Sequence, residues 1–582
     1  MTERVFLNKN RFFDKNIIKV LLLISSILTI FALLSLESTL PVTNYEISIY
    51  SAAPLFWFLI ILSNLILISC MILQAQNENY NYFWLSFSLL LLNNFIILSQ
   101  PLMRGYFAYG STDPWNHFQS AIAITESGNM GDDYYPITHI LLAELNQLTS
   151  LNVEIFTKFL PAYFSMIYMV FTYFLGKEVF KNKRYAVILA AVSSTFLLTY
   201  YHVVIYPQGL SILILPLFFY LFFKSDQSIS YNILIVLLLF LMPFFHPFVE
   251  ITLIGCLIAA EIIRYVLDKG SISINKSMVS IVMFFAWWSS FAVFANGIKK
   301  INSWLFGEVS SVPRTNELSF THSMSLLDTM LLFLKCYGSQ LIYMSIALIA
   351  IILILWKYKK GDKYLNKMII LSGLFITSLV TYFMTFLTQG NTSIGRLLGS
   401  NIAVWAIPVL VSFLLFLILK NFNKKKLAFL IIFIIISSSF TVSVLGIYRS
   451  PWIDQPNWHF TYSDASAITW KTNYDTYTKT LYLAVPVNGK INFDNIKGKG
   501  FNYYNHTSLA ELFPENIIFL CGKSRQNMIM DNANLNQSSL IKPWADPDLK
   551  EDTINKIGID PYIITIYSNG EDDIYLIEGA NG

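Results

Sequence analysis

Runs of about 20 apolar residues, each long enough to cross the hydrocarbon layer of a bilayer, recur along most of this 582-residue chain. In lipid such a run satisfies its own backbone N–H and C=O groups only as a helix, because no water is present to take them. Thirteen spans are expected, near 17–34, 52–74, 82–100, 153–176, 185–203, 207–223, 231–245, 247–263, 277–296, 338–356, 368–388, 401–419 and 427–447. "MPFFHPF" (242–248) splits one long run, and a short apolar piece at 326–335 reads as re-entrant. No small-residue cleavage site follows "LLLISSILTIFALLSLEST", so the first run is expected to remain as a span. With 55% hydrophobic and only 13% charged residues, the composition excludes an ordinary soluble globular protein.

The Lys/Arg bias orients the spans. Four basic residues lie in 177–184, five in 357–367 and four in 420–426, whereas the alternate loops hold Arg104, Lys299, Lys300, Arg314 and Arg396. The expected topology has a cytoplasmic N-terminus in the cell membrane and an extracellular C-terminal segment. The net charge of +4 is then a topology signal and gives no reason to expect nucleic acid as a partner. Cys70 and Cys256 fall inside spans, and the four cysteines form neither a disulfide framework nor a CxxC zinc spacing. All seven histidines fall on the outer side or at outer span ends.

Two domains are expected, a transmembrane domain over 1–447 and an extracytoplasmic α/β domain over 448–582. In the second, "KTLYLAVPV", "NIIFLCG", "YIITIYS" and "DIYLIEG" read as strands, "SNGED" as the turn between the last two, and "SDASAITWKTNYD" as a helix. The fold class is an all-α polytopic membrane protein of about thirteen helices with this small outer α/β domain.

The outer loop over 101–152 concentrates the ionisable chemistry. Its segment 111–139 holds Asp113, Asp132, Asp133, His117 and His139. Asp113 before Pro114 suits a helix N-cap with proline at the first helical position, the helix running from 114 to 127 up to Gly128. "ITHILLAELNQLTS" puts Ile137, Ile140, Leu141, Leu145 and Leu148 on one face, as in a helix lying flat on a membrane. Capping accounts for Asp113 but not for Asp132 and Asp133 in the same loop. A carboxylate cluster at a membrane surface can take a proton from a substrate or hold a cation.

These features resemble the GT-C superfamily of membrane glycosyltransferases. The residues that carry the resemblance are "TDPWNH" (112–117) and "GDDYYPITH" (131–139), within a many-span chain ending in an outer domain. Two departures stand out: the loop follows the third span instead of the first, and the WWDYG signature of oligosaccharyltransferases is absent. The resemblance implies an enzyme that moves a hexosyl or pentosyl unit from a polyprenyl-phosphate or polyprenyl-diphosphate donor to a glycan, lipid or protein acceptor, among membrane lipids. It implies Asp113 as base with Asp132 and Asp133 beside it. It also implies an arginine that grips the donor phosphate with its planar fork, for which Arg396 in "TQGNTSIGRLLGSN" (388–401) is the candidate and Arg104 and Arg314 weaker ones. His117, His139, Tyr135 and His246 are further candidates for binding substrate. Mg²⁺ or Mn²⁺ bridging Asp113 and Asp133 is an open expectation, oxygen and imidazole ligands being suited to it. Glu250 and Glu261 lie inside an apolar run, where an ionisable group is costly. The competing readings are a glycolipid transporter or flippase, which calls for charges spread through the spans and an internal repeat, and a polysaccharide polymerase or ligase.

Overall fold

The long apolar runs form helices throughout the described residues. The computed structural model describes residues 15–40, 42, 44–110, 113–197, 199–268, 274–292, 294–299, 325–389, 402–453, 455, 457–474, 480–483, 526–531 and 563–577. The helices in chain order are α1 (Lys15–Glu37), the single turn α2 (Ile49–Ala52), α3 (Pro54–Asn77), α4 (Phe83–Leu98) and the single turn α5 (Gln100–Met103). There follow α6 (Asp113–Ser127), α7 (Pro136–Thr149), α8 (Val153–Val179), α9 (Lys183–Thr195), α10 (Pro207–Lys224), α11 (Ile229–Leu241), α12 (Pro247–Asp268) and α13 (Asn275–Trp288). The series ends with α14 (Leu326–Lys359), α15 (Asn366–Gln389), α16 (Ile407–Asn421), α17 (Lys425–Ile447) and α18 (Tyr462–Tyr474).

Each of the thirteen expected spans contains a helix, and eight described helices are long and apolar enough to cross a membrane. Phe83–Leu98 and Ile229–Phe244 are apolar but shorter. At 1.5 Å per residue a 16-residue helix reaches only about 24 Å, short of a hydrocarbon layer of about 30 Å. The segment 326–335 is not re-entrant. It is the first part of the continuous 34-residue helix Leu326–Lys359, whose cap residue Ser325 accepts a hydrogen bond from the Asp328 N–H. Proline breaks the run at 242–248 as expected, giving the 3-10 turn Met242–Phe244 and a fresh helix start at Pro247.

Apolar side chains alone give helices in lipid little reason to associate, so polar contacts carry part of the specificity. Ser25, Thr29, Ser63 and Asn93 join α1, α3 and α4: Ser25 and Ser63 hydroxyls lie 2.7 Å apart, Thr29 Oγ1 donates to Asn93 Oδ1 at 2.9 Å, and Asn93 Nδ2 donates to Ser63 Oγ at 2.9 Å.

Alternation of the helices gives the bundle two unlike ends. At one, Glu178 accepts from Lys224 Nζ at 3.0 Å, from Gln227 Nε2 at 3.0 Å and from Lys367, and Arg184 pairs with Glu78. The Lys-rich connections therefore gather there. At the other end lie the 104–152 loop and the chain beyond Ile447. Strand β1 (Ala108–Tyr109) pairs antiparallel with β2 (His459–Phe460), so the third connection of the bundle is hydrogen-bonded to the segment that follows its last helix.

The tail holds a four-stranded sheet in the order β3-β4-β6-β5, from β3 (Thr480–Leu483), β4 (Gln526–Asp531), β5 (Ile563–Ser568) and β6 (Asp572–Ile577). β3 and β4 are parallel and the other pairs antiparallel. Three of the four expected strands and the 463–475 helix are present; "NIIFLCG" lies outside the described residues, and β4, "QNMIMD", has too polar an alternation to announce itself. The β5–β6 hairpin packs on α18 through Trp470 against Tyr567, rings 5.0 Å apart, and Asn569 Nδ2 donating to the Ser463 carbonyl at 2.9 Å. Its turn reaches the bundle where the Tyr45 N–H donates to Glu571 Oε1 at 2.8 Å.

Reporter fusions after residues 362 and 423 should read one side of the membrane and a fusion after 460 the other; the same side for all three refutes this arrangement. A second outcome concerns Asp572, fully buried on β6. Burial first, then the neighbouring Asp464, pushes its carboxyl up to about 9. Folded protein keeps that proton while unfolded chain releases it above about pH 4, so this group costs stability increasingly as pH rises from about 4 to about 9. Asp572→Asn should accordingly raise the thermal midpoint at pH 8 and do so much less at pH 5. An equal change at both pH values would contradict the assignment.

Candidate active site

The loop site begins with a backbone constraint. Gly110 sits at φ +124°, and its N–H extends the β1–β2 pairing by donating to the Trp458 carbonyl at 3.0 Å. A Cβ there would lie 2.8 Å from Pro114 Cβ, so only glycine lets the chain turn from β1 into α6. Trp115 then packs against Phe460, rings 4.5 Å apart, and Phe118 against Phe107. Helix α6 is thus fixed against the chain that follows α17. Asp113 is its first helical residue, one place inside the expected cap position, where the positive end of the helix favours a carboxylate. It is exposed and makes no hydrogen bond with a described residue.

After Gly128 the chain returns through a turn to α7, which packs on α6 and α8. The face it buries carries Thr138, His139, Leu142 and Ala143. The expected membrane-facing set is turned away from that face: Ile137, Ile140, Leu141 and Leu145 are half-buried and Leu148 is 82% exposed. Burying His139 requires a partner, and Asp133 provides it. Asp133 Oδ2 meets His139 Nδ1 in a short contact, its Oδ1 accepts the Tyr135 N–H at 2.9 Å, and His139 Nε2 lies 2.9 Å from His117 Nδ1.

With His139 neutral, this chain of three has one proton order. A carboxylate accepts only, so His139 donates from Nδ1 and accepts at Nε2, and His117 donates from Nδ1 and presents a lone pair at Nε2. Burial first, then His139 and His246, holds the His117 imidazole well below its usual range, so it stays neutral at pH 7. Tyr135 closes the site. Its ring stacks on His246 at 5.3 Å and 9° and lies 6.1 Å from Trp288, while His117 also meets Tyr206 edge-on. Burial, then Tyr134, Asp113 and Asp133, pushes the Tyr135 phenol up, so both carboxylates are felt at one hydroxyl.

Of the residues expected from sequence, Asp113, Asp133, His117, His139, Tyr135 and His246 thus converge, drawn from α6, the loop, α7 and the break before α12. Asp132 is exposed on the turn beside them. Arg396 and Arg314 lie outside the described residues. Arg104 belongs to a separate network: it is 1% exposed, its Nε donates to Glu46 Oε2 at 2.9 Å, its Nη2 also pairs with Glu46, and its Nη1 donates to Thr39 Oγ1 at 3.1 Å. A guanidinium so occupied is not offered to a phosphate. Around it Tyr106 Oη donates to Glu46 Oε2 at 2.5 Å, Asn457 Nδ2 donates to the Glu46 carbonyl at 2.8 Å, and His459 stacks on Tyr106 at 3.6 Å. Glu46, Tyr106, Asn457 and His459 were not singled out from the sequence as members of such a network; they are scattered over more than 400 positions and form no motif.

Among the described residues no group of three or more His, Cys, Asp or Glu side chains is placed to hold a metal ion. Asp133 Oδ1 accepts the Tyr135 N–H and Oδ2 meets His139, each oxygen keeping a second lone pair, so the Asp113–Asp133 bridge stays an expectation from the sequence.

No family model matches the chain, and no curated protein matches it. Fifteen chains of solved structures do. An oligosaccharyltransferase of Archaeoglobus fulgidus, in complex with zinc and sulfate, is 14% identical over 84% of this chain and 72% of its own, with a TM-score of 0.49. The same protein tethered to an acceptor peptide containing the NVT sequon is 13% identical over 69% and 62%, at 0.43. ArnT of Cupriavidus metallidurans, bound to undecaprenyl phosphate, is 10% identical over 85% of this chain and 98% of its own, at 0.44.

Removing one partner of a buried pair leaves the other charge unpaired, at roughly 3–5 kcal/mol. Glu46→Leu should therefore destabilise the protein by about that much, and adding Arg104→Met should recover most of it in a thermal-shift series. A double variant no more stable than Glu46→Leu alone would show that the pair is not the reason for the loss.

Proposed function

We propose that this protein is a membrane glycosyltransferase of GT-C type that transfers a sugar from a polyprenyl-phosphate-linked donor to a hydroxyl of a glycan, lipid or protein acceptor at the loop-bearing face of the membrane. The observation that carries the reading is the convergence of Asp113, Asp133, His117, His139 and Tyr135 over the end of an apolar helix bundle. A lipid-anchored donor presents its phosphate and sugar at that depth, and an acceptor approaches from water.

Asp113 is the open carboxylate of the group and serves as the base. As the acceptor oxygen attacks the anomeric carbon, its proton passes to Asp113; the bond from that carbon to the phosphate oxygen breaks, and the phosphate leaves with the electron pair. Asp133 is committed to His139 and acts as a positioning residue, fixing the tautomers through to His117 Nε2, which accepts from a sugar or acceptor hydroxyl. Tyr135 and the rings beside it form an aromatic wall for the sugar. Arg396 is the proposed grip on the donor phosphate, and the C-terminal segment from 448 the outer domain beside the acceptor. No step is routed through a metal ion.

The test uses membranes bearing the full chain, incubated with radiolabelled polyprenyl-phosphate sugars and extracted for labelled acceptor. Asp113→Asn keeps a residue suited to a helix start but cannot take a proton. The variant should insert and fold as wild type yet lose roughly 10²–10⁴-fold in turnover. Undiminished transfer by Asp113→Asn would remove Asp113 as base, and no transfer from any such donor by the wild type would remove the proposed reaction.

A further inference from the structure

At the end of the bundle away from the loop, a cavity of about 550 Å³ opens between the end of α8, the start of α15 and the ends of α14 and α16. One wall is aromatic, carrying Phe413 and Phe416 of α16 with Phe180. Lys181, Lys357, Lys367 and Lys420 come from four separate segments to line the rest. Four ammonium groups thus face one carboxylate, Glu178, which is 6% exposed and already shared by Lys367 and Lys224. Lys181, Lys357 and Lys420 pair with no described carboxylate.

Like charges drawn from distant segments into one concavity repel each other, and such an arrangement is favourable when an anion occupies it. The position selects the anion's class. α8 is 27 residues long, so its far end lies about 40 Å from the loop site, at the opposite boundary of the apolar bundle. A basic pocket between helix ends at a membrane boundary, with apolar side chains behind it, has the chemistry of a phospholipid headgroup site. Lysine rather than arginine throughout fits a mobile phosphodiester held as a point charge, not by a fork. We propose that this cavity binds the phosphate of an anionic phospholipid, its glycerol and first methylenes against Tyr364 and Leu417, with the buried Phe413 and Phe416 behind them. The site is independent of the sugar chemistry at the other end.

The purified full chain is titrated with dioleoyl phosphatidylglycerol, with dioleoyl phosphatidylcholine and with inorganic phosphate, and bound adducts are read by native mass spectrometry alongside thermal shift. Phosphatidylglycerol should bind as one tight copy, much more weakly at high salt. The triple variant Lys181→Gln, Lys357→Gln, Lys420→Gln should lose on the order of 100-fold in that affinity, while the corresponding Arg triple retains most of it. Lys367 is left in place because it holds Glu178. Saturable binding of inorganic phosphate with the same sensitivity to the Gln triple would keep the phosphate site and assign a soluble source. Equal binding of phosphatidylcholine, or phosphatidylglycerol binding by wild type that ignores salt, would overturn the proposal; the latter needs no variant to fold.

Discussion

The Arg104–Glu46 pair is the contact on which the loop end of this molecule depends. It joins the connection after α1 to the end of α5, and through Tyr106 and Asn457 it fastens both to the chain beyond α17. Lys158 adds to the same clasp by donating to the Phe107 carbonyl at 3.0 Å and to that of Tyr106. Burying two charges costs several kcal/mol per ion unless the remaining donors and acceptors are also met; here Thr39 Oγ1 accepts from the guanidinium and the Tyr106 hydroxyl donates to the carboxylate. The β1–β2 pairing and the turn at Gly110 build on this clasp, and the position of α6, with Asp113 at its start, follows from them.

From that anchored start the loop works as two helices and a turn rather than as a mobile connection. Trp115 and Phe118 fasten α6, and Thr138, Leu142 and Ala143 fasten α7. The ionisable groups then occupy the seam between them. Asp133 orders the two histidines, and Asp113 stays open toward solvent. A division of this kind, one carboxylate engaged and one free, allows two acidic groups in one loop to take different parts.

The two ends of the bundle divide the charges. Carboxylates, histidines and aromatic rings gather at the loop end; lysines gather at the other, balanced in part by Glu178, Glu78, Asp226 and Glu261. Between them the interior is apolar apart from small hydroxyl and amide groups that hydrogen-bond across helices, such as Ser25, Ser63 and Asn93. Glu250 departs from this pattern: it is fully buried, with Ser280 as its partner. An intramembrane carboxyl within one turn of His246 marks the region beneath the Tyr135 stack as more than filler.

The helices were legible in the chain because each is a run of apolar residues bounded by proline, glycine or charge, and lipid leaves such a run one backbone solution. The local pieces of the site were legible for the same reason: Asp113-Pro114 marks a helix start, and Gly128 a stop. Sequence misjudged features set by neighbours. The piece at 326–335 was expected to be re-entrant, yet it continues into Leu326–Lys359 because nothing in it breaks the helix. The apolar set of α7, Leu148 included, lies away from its buried face; what sequence did not announce is the burial of Thr138 and His139 on the other side, because Asp133 and His117, which satisfy the imidazole, are brought there by the fold. Arg104 could be read as a free cation because Glu46, 58 positions earlier, carries no local signal of pairing. Periodicity and punctuation act within a few residues and are written in the chain. Which carboxylate stays open, which arginine is spent and which lysines share a cavity depend on side chains brought together from distant positions, and tertiary packing alone decided those.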